Sequence, residues 1–228
     1  MSSNILFKRA SIIAYFGDKS NDYKSIMDKK GFYVENIRIP TVNMVFPEQT
    51  HSNTVVLADP IISYCRDISA PVHLPDCDAI IASKKGSFLT ILTADCVPVL
   101  VYDNKKKVIA AVHSGREGTK ENIVGATIAN LQEHFNSRPD DINILIGPAI
   151  SGDNYPVSEE IFTDFVTKTE VEQVFPNIDL KKVVKHQAQT KGVIKIEDIS
   201  ICTHDNPLYF SYRRDKTKQR QVSLIGIR

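Results

Sequence analysis

The chain has 228 residues, 42% hydrophobic and 24% charged, which supports one buried core and excludes wholesale disorder. Lys plus Arg number 28 against 27 Asp plus Glu, so a formal charge of +1 gives no bulk attraction to nucleic acid or an anionic membrane. Apolar runs fall far short of the ~20 residues of a membrane span. The start Met1-Ser2-Ser3-Asn4 lacks a signal peptide's basic stretch, and a cytosolic protein is expected. Cys65, Cys77, Cys96 and Cys202 have no paired spacing, which predicts reduced thiols.

Residues 5–15 hold two short apolar runs that fit strands, followed by turn residues at Gly17-Asp18 and Ser20-Asn21-Asp22. A short helix fits 23–30, ended by Gly31. Past Pro40 the chain is rich in β-branched apolar runs: 55–57, 79–82, 88–93, 97–102 and 108–113. Turns at Lys85-Gly86-Ser87 and Asp103-Asn104-Lys105 predict two successive hairpins and a mixed or antiparallel sheet. Over 119–135 the period changes. Val124, Ile128, Leu131 and Phe135 share one helical face, with Thr119 as the cap. A strand at 142–146 follows, stopped by Gly147-Pro148. Helices then fit 159–167, capped by Ser158, and 180–191, capped by Asp179 and closed by Gly192. Two tail strands are expected at 208–212 and 221–227. The sum is one α+β domain spanning 1–228.

Three soft donors stand at strand edges. His51 follows Gln49-Thr50, Cys96 ends Thr93-Ala94-Asp95-Cys96, and His113 closes an apolar strand before Ser114-Gly115-Arg116-Glu117-Gly118. Two imidazoles and a thiolate suit a borderline-soft divalent ion and leave one position open. Their spacing fits two other readings equally. Cys96 can be a small core residue with the histidines as surface or cap residues, or a thiolate nucleophile with His113 as base and Asp95 or a loop carbonyl orienting it. Asp78 is either a site carboxylate or an acidic turn residue. His73 and Cys77 are four apart, but Pro71 and Pro75 argue against a helix presenting both. Tyr209-Phe210-Ser211-Tyr212-Arg213-Arg214 runs an aromatic stretch into two arginines, and paired guanidiniums suit an oxyanion. His134, His186 and His204 have no companions, and Lys105-Lys106-Lys107 reads as a solvated turn.

Taken in order, these pieces resemble the laccase-domain family of purine nucleoside phosphorylases, formerly described as multicopper polyphenol oxidoreductases. The family includes the bacterial peptidoglycan editing factor. The resemblance rests on Gln49-Thr50-His51, Asp78-Ala79, Thr93 to Leu100, Ala111 to Gly115, Ile146 to Ile150 with Tyr155 and Val157, Cys202-Thr203, and Phe210 to Arg214. It implies an α+β sandwich of mixed sheets flanked by helices, similar to the deamidase domain of cytotoxic necrotizing factor toxins. It also implies zinc, or copper, on His51, Cys96 and His113. Cys96, Asp95 and Gln49 fall at catalytic positions, and Arg213, Arg116 and Asp78 at substrate-binding ones. The implied reaction is phosphorolysis of adenosine, inosine, guanosine or methylthioadenosine, with deamination of adenosine, in a monomer whose only partners are nucleosides and phosphate.

Three departures mark this chain, one being a region before Gln49 that is shorter than is typical and matches poorly. Ser52 stands where the family usually has Gly after the first histidine. Arg116-Glu117 replaces a Trp followed by a basic residue, and the chain has no Trp. Two rival readings accompany the resemblance: a metal-free Cys-His amidohydrolase acting on peptidoglycan precursors, and a non-catalytic metal-binding protein. Three ligands are too few for the several copper centres of a multicopper oxidase.

Overall fold

A computed structural model describes residues 5–9, 11–34, 36–65 and 70–228, without the side chains of residues 9 and 32. The Met1-Ser2-Ser3-Asn4 start lies outside the described residues. The first half contains β1 (Ile5–Arg9), β2 (Ile12–Phe16), α1 (Tyr23–Asp28), β3 (Gly31–Val34), β4 (Ile37–Pro40), β5 (Met44–Pro47), β6 (Val55–Leu57), α2 (Asp59–Tyr64), β7 (Val72–Leu74), β8 (Ala79–Ala82), β9 (Phe88–Thr93) and β10 (Val97–Asp103). The second contains β11 (Val108–Ser114), α3 (Arg116–Lys120), α4 (Ile123–Phe135), β12 (Ile142–Ile146), α5 (Glu159–Thr169), α6 (Leu180–Thr190), β13 (Lys195–Asp198), α7 (Tyr212–Asp215) and β14 (Gln221–Ile227). No helix among the described residues is long and apolar enough to cross a membrane.

Side-chain parity in the strands builds the layers. In β10, Val97, Val99 and Val101 pack with Val124, Ile128 and Leu131 of α4. Leu100 and Tyr102 of the same strand point the other way, against Ile91 of β9 and Ile225 of β14. Two six-stranded mixed sheets result, ordered β1-β2-β14-β9-β5-β7 and β13-β12-β10-β11-β8-β6. They pack face to face, with α4, α5 and α6 covering the outer face of the second. The outer face of the first is covered by Ile26 of α1 with Val34 and Ile39 of β3 and β4. β10 and β11 are buried along their whole length, so their sequences run apolar without alternation. The α+β class with mixed sheets agrees with the sequence expectation.

Four details differ from it. Of the two turns expected to make hairpins, only that after Asp103 does, β10 pairing with β11, with the Asp103 carboxylate accepting from the Lys105 and Lys106 N–H groups. The turn at Lys85-Gly86-Ser87 instead carries the chain from the second sheet (β8) to the first (β9), and residues 94–96 carry it back. Strands buried on both faces give no parity cue to say which sheet they join.

The helix expected over 119–135 is two helices. Asn122, left-handed at φ 60°, breaks it, and the Asn122 side chain caps α4 by accepting from Gly125 N–H. Thr119 sits inside α3, bonded through its hydroxyl to Ser114 at 2.6 Å. The expected strand at 208–212 is a turn leading into α7, because Ser211 Oγ caps that helix by accepting from Arg214 N–H. Tyr209 and Phe210 are buried outside the strands, with the Phe210 backbone bonded to the Gln221 side chain of β14, so their apolar look came from burial. α1 ends at Asp28, two residues early.

The Asn122 junction yields a stability test. Asn122→Ala loses the cap and leaves in the left-handed region a side chain with no local hydrogen bond to offset the strain, costing about 1–2 kcal/mol. Asn122→Gly keeps the backbone freedom and costs only a few tenths. Urea unfolding midpoints at constant m-value distinguish them.

Candidate metal centre and cavity

The site forms where the chain passes between the sheets. Cys96 lies in the crossing from β9 to β10, His113 is paired with Pro98 on the adjacent strand β11, and His51 lies in the turn between β5 and β6. The donor atoms of these three residues all fall within 4.8 Å of one another, with Cys96 Sγ 4.0 Å from His51 Nε2. The two imidazoles meet edge to face at 4.9 Å. Zn–N bonds of about 2.0–2.1 Å and Zn–S bonds of about 2.3 Å require tetrahedral donors roughly 3.5 Å apart, within reach of small side-chain rotations. Gly115 keeps the space clear. A Cβ there would lie 2.8 Å from the His51 ring, 3.3 Å from Cys96 Sγ and 3.5 Å from the His113 ring.

Asp78, fully buried, holds two of the three donor residues. Its carboxylate accepts from the backbone N–H groups of Thr50 (3.1 Å), His51 (3.1 Å) and Ser52 (2.7 Å), fixing a turn in which His51 has φ 62°. It also meets His113 Nδ1 at 2.6 Å. Burial alone would raise the Asp78 acid, but the His113 and Ser52 hydrogen bonds prevail and lower it to about 2. An ionised Asp78 can only accept, so the His113 proton on Nδ1 is fixed and Nε2 faces the cluster. Against the cost of burial, the Cys96 thiolate and the Asp78 bond raise this imidazole to about 9, so a metal has to displace the Nε2 proton. Ser52 Oγ donates to Asp78 at 2.8 Å, so the hydroxyl that departs from the expected Gly joins the same network. Burial opposes ionisation of Cys96, yet the adjoining His113 and His51 outweigh it and bring the thiol down to about 6.

A cavity of about 810 Å³ opens over the cluster. On one wall, Arg213 lies over the Tyr155 ring at 4.7 Å and donates to the Pro156 carbonyl at 2.9 Å. Arg116 also reaches the Tyr155 phenol, while its Nε donates to Glu117 at 2.8 Å. Glu117 pairs with Lys120, which pairs with Asp164 of α5, so the departing acid ties α3 to α5. Burial raises the Tyr155 phenol above its ordinary value, against the pull of both guanidiniums. Lys216 and Arg220 also line the cavity, and neither pairs with a carboxylate among the described residues.

The sequence-predicted residues therefore divide. His51, Cys96 and His113 converge, and Arg116 and Arg213 share a wall beside them. Asp78, expected to contact substrate, has no exposed surface and works beneath the ligands. Gln49 lines the cavity, but its amide is consumed by the Leu92 backbone, donating at 2.8 Å and accepting at 2.9 Å. Asp95, φ 90°, accepts from Thr203 Oγ1 at 2.7 Å and from Arg213 N–H at 2.6 Å, anchoring the Arg213 backbone. The two arginines separate, since Arg214 donates to the carbonyls of Thr203, His204, Asn206 and Tyr209 and pairs with Asp215. His73 and Cys77 share no metal cluster among the described residues. Tyr155 had no role assigned beyond its place in the motif order; its chemistry needs the fold to be seen.

Two measurements probe this geometry. Asp78→Asn frees the His113 tautomer and removes one acceptor from the His51 turn, so metal affinity falls roughly 10–100-fold, read by competition with a chromophoric chelator. In metal-stripped protein at pH 7, iodoacetamide modifies Cys96 rapidly, with a rate rising through about pH 6. Cys77 stays unmodified, because burial and then the Asp78 charge push it up to about 12. An inflection near pH 8.5 for Cys96 would contradict the electrostatics described.

Residues 12–228 match the family model described as multi-copper polyphenol oxidoreductase laccase. A purine nucleoside phosphorylase of Campylobacter jejuni is 36% identical over 81% of this chain and 77% of its own. One from Clostridium acetobutylicum is 37% identical over 78% and 74%, and one from Bacteroides thetaiotaomicron 32% identical over 93% and 82%. Among solved structures, Bacillus licheniformis YfiH superposes with a TM-score of 0.81 at 22% identity, covering 95% of this chain and 93% of that one. Geobacillus stearothermophilus YlmD gives 0.78 at 24%, covering 96% and 93%. With the fold, the motif order and these relatives in agreement, the chain belongs to the multi-copper polyphenol oxidoreductase laccase family, whose curated relatives here are named purine nucleoside phosphorylases.

Proposed function

We propose that this chain phosphorolyses purine nucleosides, among them adenosine, inosine, guanosine and methylthioadenosine, to free base and ribose 1-phosphate. It holds zinc on His51, Cys96 and His113 and deaminates adenosine in the same cavity. Copper(II) suits the same donors. The observation that carries the reading is a three-donor cluster opening onto a cavity with two guanidiniums set around one phenol. The names of the relatives point to the same chemistry. Among the described residues this is one group of three donors, too few for several copper centres.

When bound, zinc supplies a Lewis acid with one open coordination position. The remaining work falls to the chain. Arg213 and Arg116 receive phosphate, a guanidinium offering a rigid fork of donors to a tetrahedral oxyanion. Asp95 fixes the Arg213 backbone and Pro156 and Tyr155 aim its side chain, so the anion meets preorganised donors as positive charge grows on the ribose. Asp78 holds the His113 Nδ1 proton, so that Nε2 is the nitrogen turned to the metal position, and it raises the basicity of that nitrogen. One observation favours a second reading: with the metal removed, the lowered Cys96 thiol beside His113 is the pairing of a Cys-His amidohydrolase.

Phosphate and chelator tests separate the two. Inosine cleavage should require phosphate and should stop on chelation; activity that survives stoichiometric loss of metal would favour the Cys-His reading. Arg213→Lys keeps metal and fold but loses about 1.5–3 kcal/mol of charge-assisted bonding, a ten- to hundredfold fall in kcat/KM for phosphate. Ammonia release from adenosine, which needs water and no phosphate, falls less in the same variant.

A further inference from the structure

We propose that the cavity wall built from β5, β7 and α1 is a purine-base subsite in which His73 stacks on the heterocycle and Glu48 accepts its N–H groups. This rests on the nucleoside reading above and adds residues that the sequence motifs do not include.

Phe46 and His73 are register partners on the parallel strands β5 and β7, so their rings share one face of the sheet. They stack at 5.3 Å with 15° between planes, and Tyr23 of α1 packs edge-on against Phe46 at 5.4 Å. Phe46 is buried and locked; His73 is exposed and lines the cavity. The ring series is thus anchored at one end and open at the other, and a planar heterocycle extends it.

Glu48 stands two residues beyond Phe46, held beside the end of β7 by its N–H donating to the Leu74 carbonyl at 2.8 Å. Its carboxylate is exposed, lines the same cavity, and pairs with no cation among the described residues. Thr93, also in the lining and only 1% exposed, has an Oγ1 with no hydrogen-bond partner. A flat ring carrying N–H donors and ring acceptors satisfies all three groups: it stacks on His73, donates to Glu48 and accepts from Thr93. The anion-binding guanidiniums belong to α3 and α7, so base and phosphate are taken by different walls.

Calorimetric titration of hypoxanthine without phosphate tests the subsite apart from turnover. His73→Ala should weaken binding roughly five- to a hundredfold, while His73→Phe, which keeps a stacking face, should retain most of it. Glu48→Ala should raise the KM for inosine but leave that for purine riboside, which has no N–H on its base, unchanged. Metal content verifies each variant's site. Wild-type protein that fails to bind hypoxanthine, or His73→Ala and Glu48→Ala proteins that retain metal and wild-type affinity, would overturn the subsite. Hypoxanthine binding that depends on His73 in a protein unable to cleave inosine would keep the subsite and remove the phosphorylase reading.

Discussion

One buried carboxylate organises the site. Asp78 collects three consecutive backbone N–H groups from the His51 turn and the Nδ1–H of His113, so a single anion sets the position of two ligands that lie 62 residues apart in sequence. A carboxylate without solvent contact is strongly unfavourable unless its lone pairs are filled. Here every donor comes from the ligand-bearing segments, so Asp78 cannot be satisfied without placing His51 and His113. The left-handed backbone at His51 follows from this demand, because three successive N–H groups converge on one anion only when the turn is tightly curled.

Asp95 is a second such joint. It occupies the crossing between the sheets at φ 90° and uses both carboxylate oxygens, one on Thr203 and one on the backbone of Arg213. The next residue is Cys96. Cys96 and Arg213 are therefore tied to the same turn, and displacement of either strand end shifts both. Gln49 does similar work on the opposite side, its amide standing in for a strand partner of Leu92. Residues that look catalytic in a motif, being polar and close to the ligands, thus hold backbone segments in place.

How much of this was legible follows from what each signal depends on. β10, β11, α5 and α6 could be read because period and caps are local: Ser158 and Asp179 accept the N–H bonds expected of them. The sheet assignments of β8 and β9 could not, since a strand buried on both faces carries no parity. Asn122 was hidden because a left-handed cap within an otherwise helical period leaves the apolar spacing intact. His51, Cys96 and His113 were visible as soft donor types, but the expectation that they converge came from the family resemblance. Asp78 and Arg214 were misplaced for one reason: an acid or a guanidinium that serves backbone groups looks identical, in sequence, to one that serves a ligand.

The order of strands in the first sheet has a consequence for synthesis. β14, the last strand in chain order, lies between β2 and β9, bonded to both. While a chain emerges from the ribosome, β2 and β9 face each other across a gap that no earlier segment fills. Each presents an unpaired edge, the form most open to pairing with a neighbouring chain. The first sheet closes only when residues 221–227 arrive, and only then is β9, the strand that leads into Cys96, held on both edges. A chain interrupted before residue 221 therefore lacks the strand that joins β2 to β9, and its first sheet stays in two parts, β1-β2 and β9-β5-β7.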